Sequence, residues 1–206
     1  MDSQFEQISE SVTDRGAFLR RGAVGGLALV GGGGILSTVA GPAFASASAT
    51  KSDVATLQAA FTAESLAVYV YTAAIANHKK FKLQNLDYFV AARADEVAHR
   101  DFLGKALGAK KPTGLKFQIP AMYLHSGKTV LQLGRALETA FIAAYLGAVK
   151  TLSSTDLKEI AAQVAANEAS HFSFFDAALG GHAVTAALPK SATIPATLKA
   201  LKPFLA

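Results

Sequence analysis

Residues 96–99 read Glu-Val-Ala-His, and residues 168–171 read Glu-Ala-Ser-His. Each stretch lies within a long segment with helical apolar spacing. Residues three apart in a helix share one face, so the glutamate and histidine of each stretch can reach the same ligand. A lone glutamate stands in the helical segment before each stretch, Glu64 before the first and Glu138 before the second. This order is what four helices need to enclose two metal ions with four carboxylates and two imidazoles.

The composition limits both the fold and the kind of metal site. A chain of 206 residues has room for one domain plus extensions, and 51% of the residues are hydrophobic. Abundant alanine and few β-branched runs favour helix. There is no cysteine, which excludes disulfides and thiolate sites, so oxygen and nitrogen must hold any metal. The net charge of +5 is spread without a dense basic helix, which favours a solvated surface, and we expect no nucleic-acid partner.

Apolar residues at helical spacing, together with cap and stop residues, predict an all-α fold with four long helices. These helices span residues 53–78, 85–108, 126–152 and 156–179. Ser52 is the expected N-cap of the first helix, and Ser153, Ser154 or Thr155 that of the fourth.

The connections between these helices set the expected topology. Short loops make the first and second helices antiparallel neighbours, and likewise the third and fourth. Residues 109–125 contain Pro112, Gly114 and Pro120, and predict one long crossover between helices two and three. The bundle is expected to occupy residues 50–180. An extension over residues 181–206 is expected to lie along the bundle as irregular structure, with room for one short helix.

Residues 1–49 are expected to form an export signal. Residues 14–20, Asp-Arg-Gly-Ala-Phe-Leu-Arg, resemble a twin-arginine signal, although Gly16 occupies the position of the second arginine. A glycine- and alanine-rich run follows, and residues 43–45 offer a small-x-small cleavage pattern. These features favour an exported location: periplasm, cell envelope or outside the cell. The alternative is an uncleaved membrane anchor, the one case in which we expect a membrane partner.

The polar residues of the two halves repeat at nearly constant intervals. Glu64 to Glu138 and Tyr71 to Tyr145 are both shifts of 74 residues. The two Glu-x-x-His stretches are related by a shift of 72 residues. Two helical hairpins with matching polar residues would give pseudo-twofold symmetry, which suits a site for two equivalent cations.

The negative charge of four carboxylates buried together must be compensated. Two unit charges about 5 Å apart repel by roughly 3 kcal/mol at an effective dielectric of 20. Two divalent cations would offset that charge, and nothing else in the sequence obviously would. Beyond residue 45 the chain has only five glutamates, and four of them occupy the predicted ligand positions. The alternatives are a surface location and a metal-free bundle that keeps these residues for hydrogen bonding.

Other candidate residues lie around the predicted site. Tyr71 and Tyr145 stand two helical turns after a lone glutamate, and are interpreted as redox-active or hydrogen-bonding tyrosines, with ordinary core aromatics as the alternative. Asp95 faces another side of its helix and could accept a hydrogen bond from a ligand histidine. The remaining histidines are expected at the surface: His78, His125 and His182.

Three stretches, residues 95–103, 137–147 and 167–171, resemble the ferritin-like superfamily, and specifically the exported ferritin-like domain group that includes desiccation-related proteins. The resemblance covers about residues 52–180 and implies a ferritin-like four-helix bundle. It also implies two metal ions, Fe or Mn. One ion would be bound by Glu64, Glu96 and His99, and the other by Glu138, Glu168 and His171. Glu96 and Glu168 are the candidates for bridging both ions.

The resemblance further implies redox chemistry. Bacterioferritins, rubrerythrins and manganese catalases have a similar ligand set, but Phe141 replaces an additional rubrerythrin glutamate and the rubredoxin module is absent. The expected reactions are oxidation of Fe(II) or reduction of O2 or hydrogen peroxide in stress defence, with Tyr71 and Tyr145 as catalytic candidates and a homo-oligomer as a further expectation. The alternative is a structural stress or desiccation-related bundle with a stabilising or vestigial metal and no turnover.

Overall fold

The computed structural model describes residues 50–183 and 186–206, so the predicted export signal lies outside the described residues. The described residues form six α-helices: α1 Lys51–Ala76, α2 His78–Phe81, α3 Leu86–Leu107, α4 Gly127–Thr151, α5 Thr155–Ala178 and α6 Ile194–Leu201. The four long helices α1, α3, α4 and α5 are the predicted ones, in the predicted order. The prediction of an all-α bundle is therefore confirmed.

Side-chain caps fix where the long helices begin. Thr50 Oγ1 accepts from Asp53 N at 3.1 Å, and the Asp53 carboxylate accepts from Thr50 N at 3.0 Å, which is a capping box. The sequence-based choice of Ser52 as N-cap was wrong, because Ser52 lies within the first turn of α1. The cap of α5 is Ser154, one of the three candidates expected there.

The turn between the first two long helices is more ordered and more apolar than its lysine-rich sequence suggests. It contains the single-turn helix α2, and left-handed residues Lys82 (φ 52°) and Asn85 (φ 59°) redirect the chain into α3. Phe81 and Leu83 are buried against the bundle. This turn therefore contributes to the core as well as reversing the chain.

The long helices pack as two hairpins, α1 with α3 and α4 with α5, and α1 also contacts α4. The core between them is rich in fully buried aromatic and aliphatic side chains, such as Phe89, Phe141 and Phe175. Among the described residues, α1 is long and apolar enough to cross a membrane. Buried core helices meet the same criteria, and 56% of its most apolar window is buried in the bundle.

The crossover and the C-terminal extension pack against each other. Residues 108–126 are irregular apart from two 3₁₀ turns, Gly108–Lys110 and Ala121–Tyr123. Gln118 N donates to Phe204 O at 2.8 Å, and Ala206 N donates to Lys116 O at 3.0 Å. The extension contains α6, the one short helix expected there.

Candidate metal centre

Four helices bring all six predicted ligand residues to the middle of the bundle. The four glutamates are 0% exposed, and the two histidines are 4% and 3% exposed. α1 provides Glu64, α3 provides Glu96 and His99, α4 provides Glu138, and α5 provides Glu168 and His171. The alternative of a surface location is therefore wrong for these residues.

The six side chains form two overlapping groups that could each hold a metal ion. One group is Glu64, Glu96, His99 and Glu168, and the other is Glu96, Glu138, Glu168 and His171. Within each group, one oxygen or ring nitrogen per residue lies within 4.8 Å of all the others. Glu96 and Glu168 belong to both groups, which is the arrangement expected of bridging carboxylates.

His99 presents Nδ1 to the carboxylates of its group. This atom lies 3.2 Å from Glu168 Oε1, 3.5 Å from Glu96 Oε2 and 3.7 Å from Glu64 Oε2. One ring nitrogen thus faces carboxylates from three helices, α1, α3 and α5.

His171 presents the same atom to its own group. Its Nδ1 lies 3.1 Å from both Glu96 Oε1 and Glu168 Oε2, and 3.7 Å from Glu138 Oε1. Its other nitrogen, Nε2, lies 3.3 Å from Asp95 Oδ2, so Asp95 occupies the place suggested by the sequence. A metal on Nδ1 would leave the proton on Nε2, where it is donated to Asp95.

Several of the buried ligand atoms lack a hydrogen bond. Among the described residues, no hydrogen-bond partner is found for six atoms of the cluster: Glu64 Oε2, Glu96 Oε1, Glu96 Oε2, His99 Nδ1, Glu138 Oε2 and Glu168 Oε1. A buried polar atom left unsatisfied costs about 1–3 kcal/mol, and more when it is charged. Oxygen donors with imidazole suit iron or manganese, so the cluster fits a metal site.

The charges of the buried carboxylates also fit a metal site. Burial raises the pKa of Glu64 well above its usual value, with repulsion from Glu96 and Glu168 adding to it, and Glu138 shifts in the same direction. Burial opposes ionisation of Glu168 as well, but a hydrogen bond with His171 and the adjacent imidazole of His99 outweigh it and lower the pKa of that carboxyl.

The histidines compensate for part of this charge. Burial disfavours the charged imidazoles, yet the carboxylates that surround each ring outweigh it and raise the pKa of His99 and of His171. Without cations, protons on the histidines and on part of the carboxylates therefore compensate the negative charge of the cluster. Cations bound among the carboxylates would take over that role.

The two tyrosines connect the hairpins crosswise. The Tyr71 hydroxyl of α1 donates to Glu138 Oε1 of α4, and the Tyr145 hydroxyl of α4 donates to Glu64 Oε1 of α1. Burial raises the pKa of both phenols, and the neighbouring carboxylates raise it further, so both stay protonated. Each tyrosine thus donates its phenolic proton to a predicted ligand. A redox role for the two tyrosines stays a prediction.

One residue near the cluster has no signal in the sequence. The Tyr88 ring stacks on Phe174 at 3.4 Å between centroids and meets the His171 ring edge-on at 6.3 Å. Its buried hydroxyl has no hydrogen-bond partner among the described residues. Tyr88 has no tyrosine counterpart in the second hairpin, so the repeat could not identify it.

The remaining histidines lie outside the cluster. His125 and His182 are exposed, as expected. His78 is half-buried, and its Nδ1 pairs with Ile75 O at 2.8 Å near the end of α1.

Comparison with known families agrees with this architecture. The family model of the ferritin-like domain matches residues 52–181, a range that begins within α1 and ends just beyond α5. A comparison with curated proteins gives no significant match. The matched range covers more than half of the chain and includes all six clustered residues. The chain therefore belongs to the ferritin-like domain family.

Proposed function

We propose that this chain is an exported ferritin-like protein that holds two iron or manganese ions and either oxidises Fe(II) or reduces O2 or hydrogen peroxide in stress defence. The observation that carries the proposal is the set of buried carboxylate and imidazole atoms that face one another without hydrogen bonds. Bound iron or manganese would supply one-electron redox chemistry at a site closed to bulk water.

Charge balance supports the number of ions. Four ionised carboxylates carry a charge of −4, which two divalent cations neutralise while both histidines stay neutral. Glu96 and Glu168 lie in both groups and would hold both ions. Glu64 with His99, and Glu138 with His171, would each hold one ion.

The tyrosine hydrogen bonds distinguish the two oxygens of each unshared glutamate. Oε1 of Glu64 and Oε1 of Glu138 each accept a phenolic hydrogen, whereas Oε2 of each has no partner among the described residues. At Glu64 the free Oε2 lies 3.7 Å from His99 Nδ1 and would face the ion. At Glu138 the oxygen that lies 3.7 Å from His171 Nδ1 is Oε1, which also accepts from Tyr71. Tyr71 and Tyr145 are the proposed catalytic residues, because each holds a phenolic proton one hydrogen bond away from a ligand and can supply a proton and an electron.

Metal analysis tests the proposed centre. After anaerobic loading with Fe(II) or Mn(II) and removal of free ions, we expect about two ions per chain. Fewer than about one ion per chain would rule out a two-metal centre. His99→Ala should lower the stoichiometry, while His125→Ala, at an exposed histidine, serves as the matched control and should leave it unchanged.

Turnover separates this proposal from its alternative. A structural stress-related bundle would also gain stability from cations, because they neutralise the buried carboxylates. We expect the loaded protein to oxidise Fe(II) or consume hydrogen peroxide faster than the same concentration of free metal. Tyr71→Phe and Tyr145→Phe should slow this reaction while the metal content stays at about two. Rates equal to those of free metal, with a raised melting temperature, would favour the structural alternative.

A further inference from the structure

The two halves of the cluster differ at the position that precedes each shared glutamate. Asp95 precedes Glu96 on α3, and Asn167 precedes Glu168 on α5. The two positions are related by the same 72-residue shift as the Glu-x-x-His stretches. A carboxylate in one hairpin thus corresponds to a neutral amide in the other, although the six ligand positions match in pairs.

Asp95 acts on the histidine of the opposite hairpin. His171 Nε2 lies 3.3 Å from Asp95 Oδ2, while Nδ1 of the same ring faces Glu96 and Glu168. A carboxylate that accepts the outer N–H of a ligand histidine fixes the ring orientation and makes the inner nitrogen a stronger donor. The Tyr88 ring meets the same imidazole edge-on, and the corresponding residue of α5 is Ile160.

In the residues that the structure describes, His99 has no carboxylate beside its outer ring nitrogen, Nε2. Among the described residues, no carboxylate lies within ion-pair distance of His99 Nε2, although three surround Nδ1. The residue that corresponds to Asp95 is Asn167, whose buried Oδ1 accepts no hydrogen bond in the described part of the chain and so does not hold the His99 ring. A neutral amide polarises an imidazole less than a carboxylate does.

We infer that the two metal positions are unequal, and that the position of Glu138 and His171 binds its ion first and more tightly. Glu96 and Glu168 are shared and Glu64 matches Glu138, so the partner of the outer histidine nitrogen decides the order. Asp95 is then a positioning residue for His171. This inference rests on the proposed metal centre, and the expected difference in affinity is about 10–100-fold.

Mn(II) titration of the full metal-free chain, followed by isothermal calorimetry, tests the inference. The unsubstituted protein should show two binding steps whose dissociation constants differ at least about tenfold. A crystal grown with one equivalent of Mn(II) should give its anomalous peak beside His171. His171→Ala should remove the tight step and His99→Ala the weak one.

Exchange of the two side chains gives the sharpest test. Asp95→Asn should weaken the tight step about 10–100-fold, and Asn167→Asp should strengthen the weak step. The double variant keeps the net charge and should reverse the filling order. Asp101→Asn removes an exposed carboxylate of the same helix and should change neither step.

These experiments distinguish a failure of the inferred difference in affinity from a failure of the proposed two-metal centre. Two equal steps, a first ion beside His99, or an unchanged tight step in Asp95→Asn would overturn the unequal positions but leave the two-metal centre intact. Failure of the unsubstituted protein to bind Mn(II) would overturn the centre itself. Circular dichroism of each variant verifies the fold, and Asn167→Asp still tests the order where an alanine variant does not fold.

Discussion

The two hairpins, α1 with α3 and α4 with α5, carry matching predicted ligands and tyrosines but pack differently. The glutamates, histidines and tyrosines match pairwise, and each hairpin's tyrosine donates to the other hairpin's lone glutamate. Several apolar positions differ: Gly134 and Phe175 in the second hairpin correspond to Ala60 and Leu103 in the first. The predicted site chemistry would restrict each of these matching positions to one residue type, whereas the core requires only that the combined volume of neighbouring side chains fills the available space.

The largest expected effect separates the shared glutamates from the unshared ones. Glu96→Ala and Glu168→Ala should each reduce loaded Mn(II) from about two ions per chain to below one, because these residues lie in both groups. Glu64→Ala and Glu138→Ala should each leave about one ion. Elemental analysis of the loaded proteins measures the difference.

Glu159→Ala is the control for this comparison, since Glu159 is exposed on α5. It should retain about two ions. Equal losses in all four cluster variants would show that the ions bind only as a pair, and that sharing does not distinguish Glu96 and Glu168.

The next effect concerns the packing that distinguishes the second hairpin. A Cβ added at Gly134 would lie 2.7 Å from Phe175 Cζ, and Phe175 is 0% exposed. Gly134→Ala should therefore lower the free energy of unfolding by about 1–3 kcal/mol, despite the helix propensity of alanine. Chemical denaturation of the metal-free protein measures this loss of stability.

The first hairpin suggests how to relieve this clash. Gly134→Ala combined with Phe175→Leu reproduces the alanine and leucine of positions 60 and 103. The double variant should be more stable than the sum of the two single losses predicts, because the smaller side chain makes room for the methyl group. Strict additivity would mean that the ring and the glycine do not constrain each other.

A smaller effect on the free energy of unfolding is expected at an acidic residue that has no counterpart in the second hairpin. Asp53 of α1 corresponds to Gly127 of α4, and its carboxylate accepts from Ser153 N at 2.8 Å, from the Ser153 hydroxyl and from Thr50 N. Burial would raise its pKa, but these hydrogen bonds outweigh burial and lower the pKa from 3.8 to about 2. Asp53→Asn should cost about 1–2 kcal/mol at pH 7.

The pH dependence of that cost has a definite sign. Because the pKa of Asp53 is lower in the folded state, its stabilisation is complete above pH 3.8 and is lost as the pH falls through about 2. The difference between the unsubstituted and variant proteins should therefore shrink between these values. Asp156→Asn, at an exposed first-turn acid of α5, should change stability by less than about 1 kcal/mol at any pH.

The fold and the clustering of the site residues could be predicted from the sequence because both follow from spacing. Helical periodicity places Glu96 beside His99 and Glu168 beside His171, and the 72- and 74-residue shifts indicate two matching hairpins. The family match confirms the fold, while the ligand roles of these residues stay a prediction.

Contacts that depend on tertiary placement could not be predicted. The Tyr71 hydroxyl reaches Glu138, and nothing in the local spacing says which helix it faces. Tyr88 lies in the first turn of α3, where an aromatic residue is equally compatible with the surface. The proline-containing extension was expected to lie along the bundle, but the sequence does not indicate its contact with α4, which involves backbone atoms on both sides.

That contact provides the last prediction, since only the second hairpin carries it. Ala192 N donates to Ala143 O at 2.7 Å, and a Cβ added at Gly147 would lie 1.8 Å from Ala192 O. Gly147→Ala must therefore displace the extension from α4, while the helix gains up to about 1 kcal/mol from alanine. Global stability should change by less than about 1 kcal/mol, because these two effects oppose each other.

The displaced extension should be detectable by proteolysis. Trypsin should cleave after Lys190 faster in Gly147→Ala, because Lys190 adjoins Ser191, whose hydroxyl accepts from Lys150 Nζ at 2.7 Å while the extension is docked. Ala73→Gly, at the corresponding position of α1, should lower stability by up to about 1 kcal/mol and leave the cleavage rate unchanged. Equal cleavage rates in both variants would mean that Ala192 shifts without releasing the extension, and that its attachment depends on α6 and Phe204 instead.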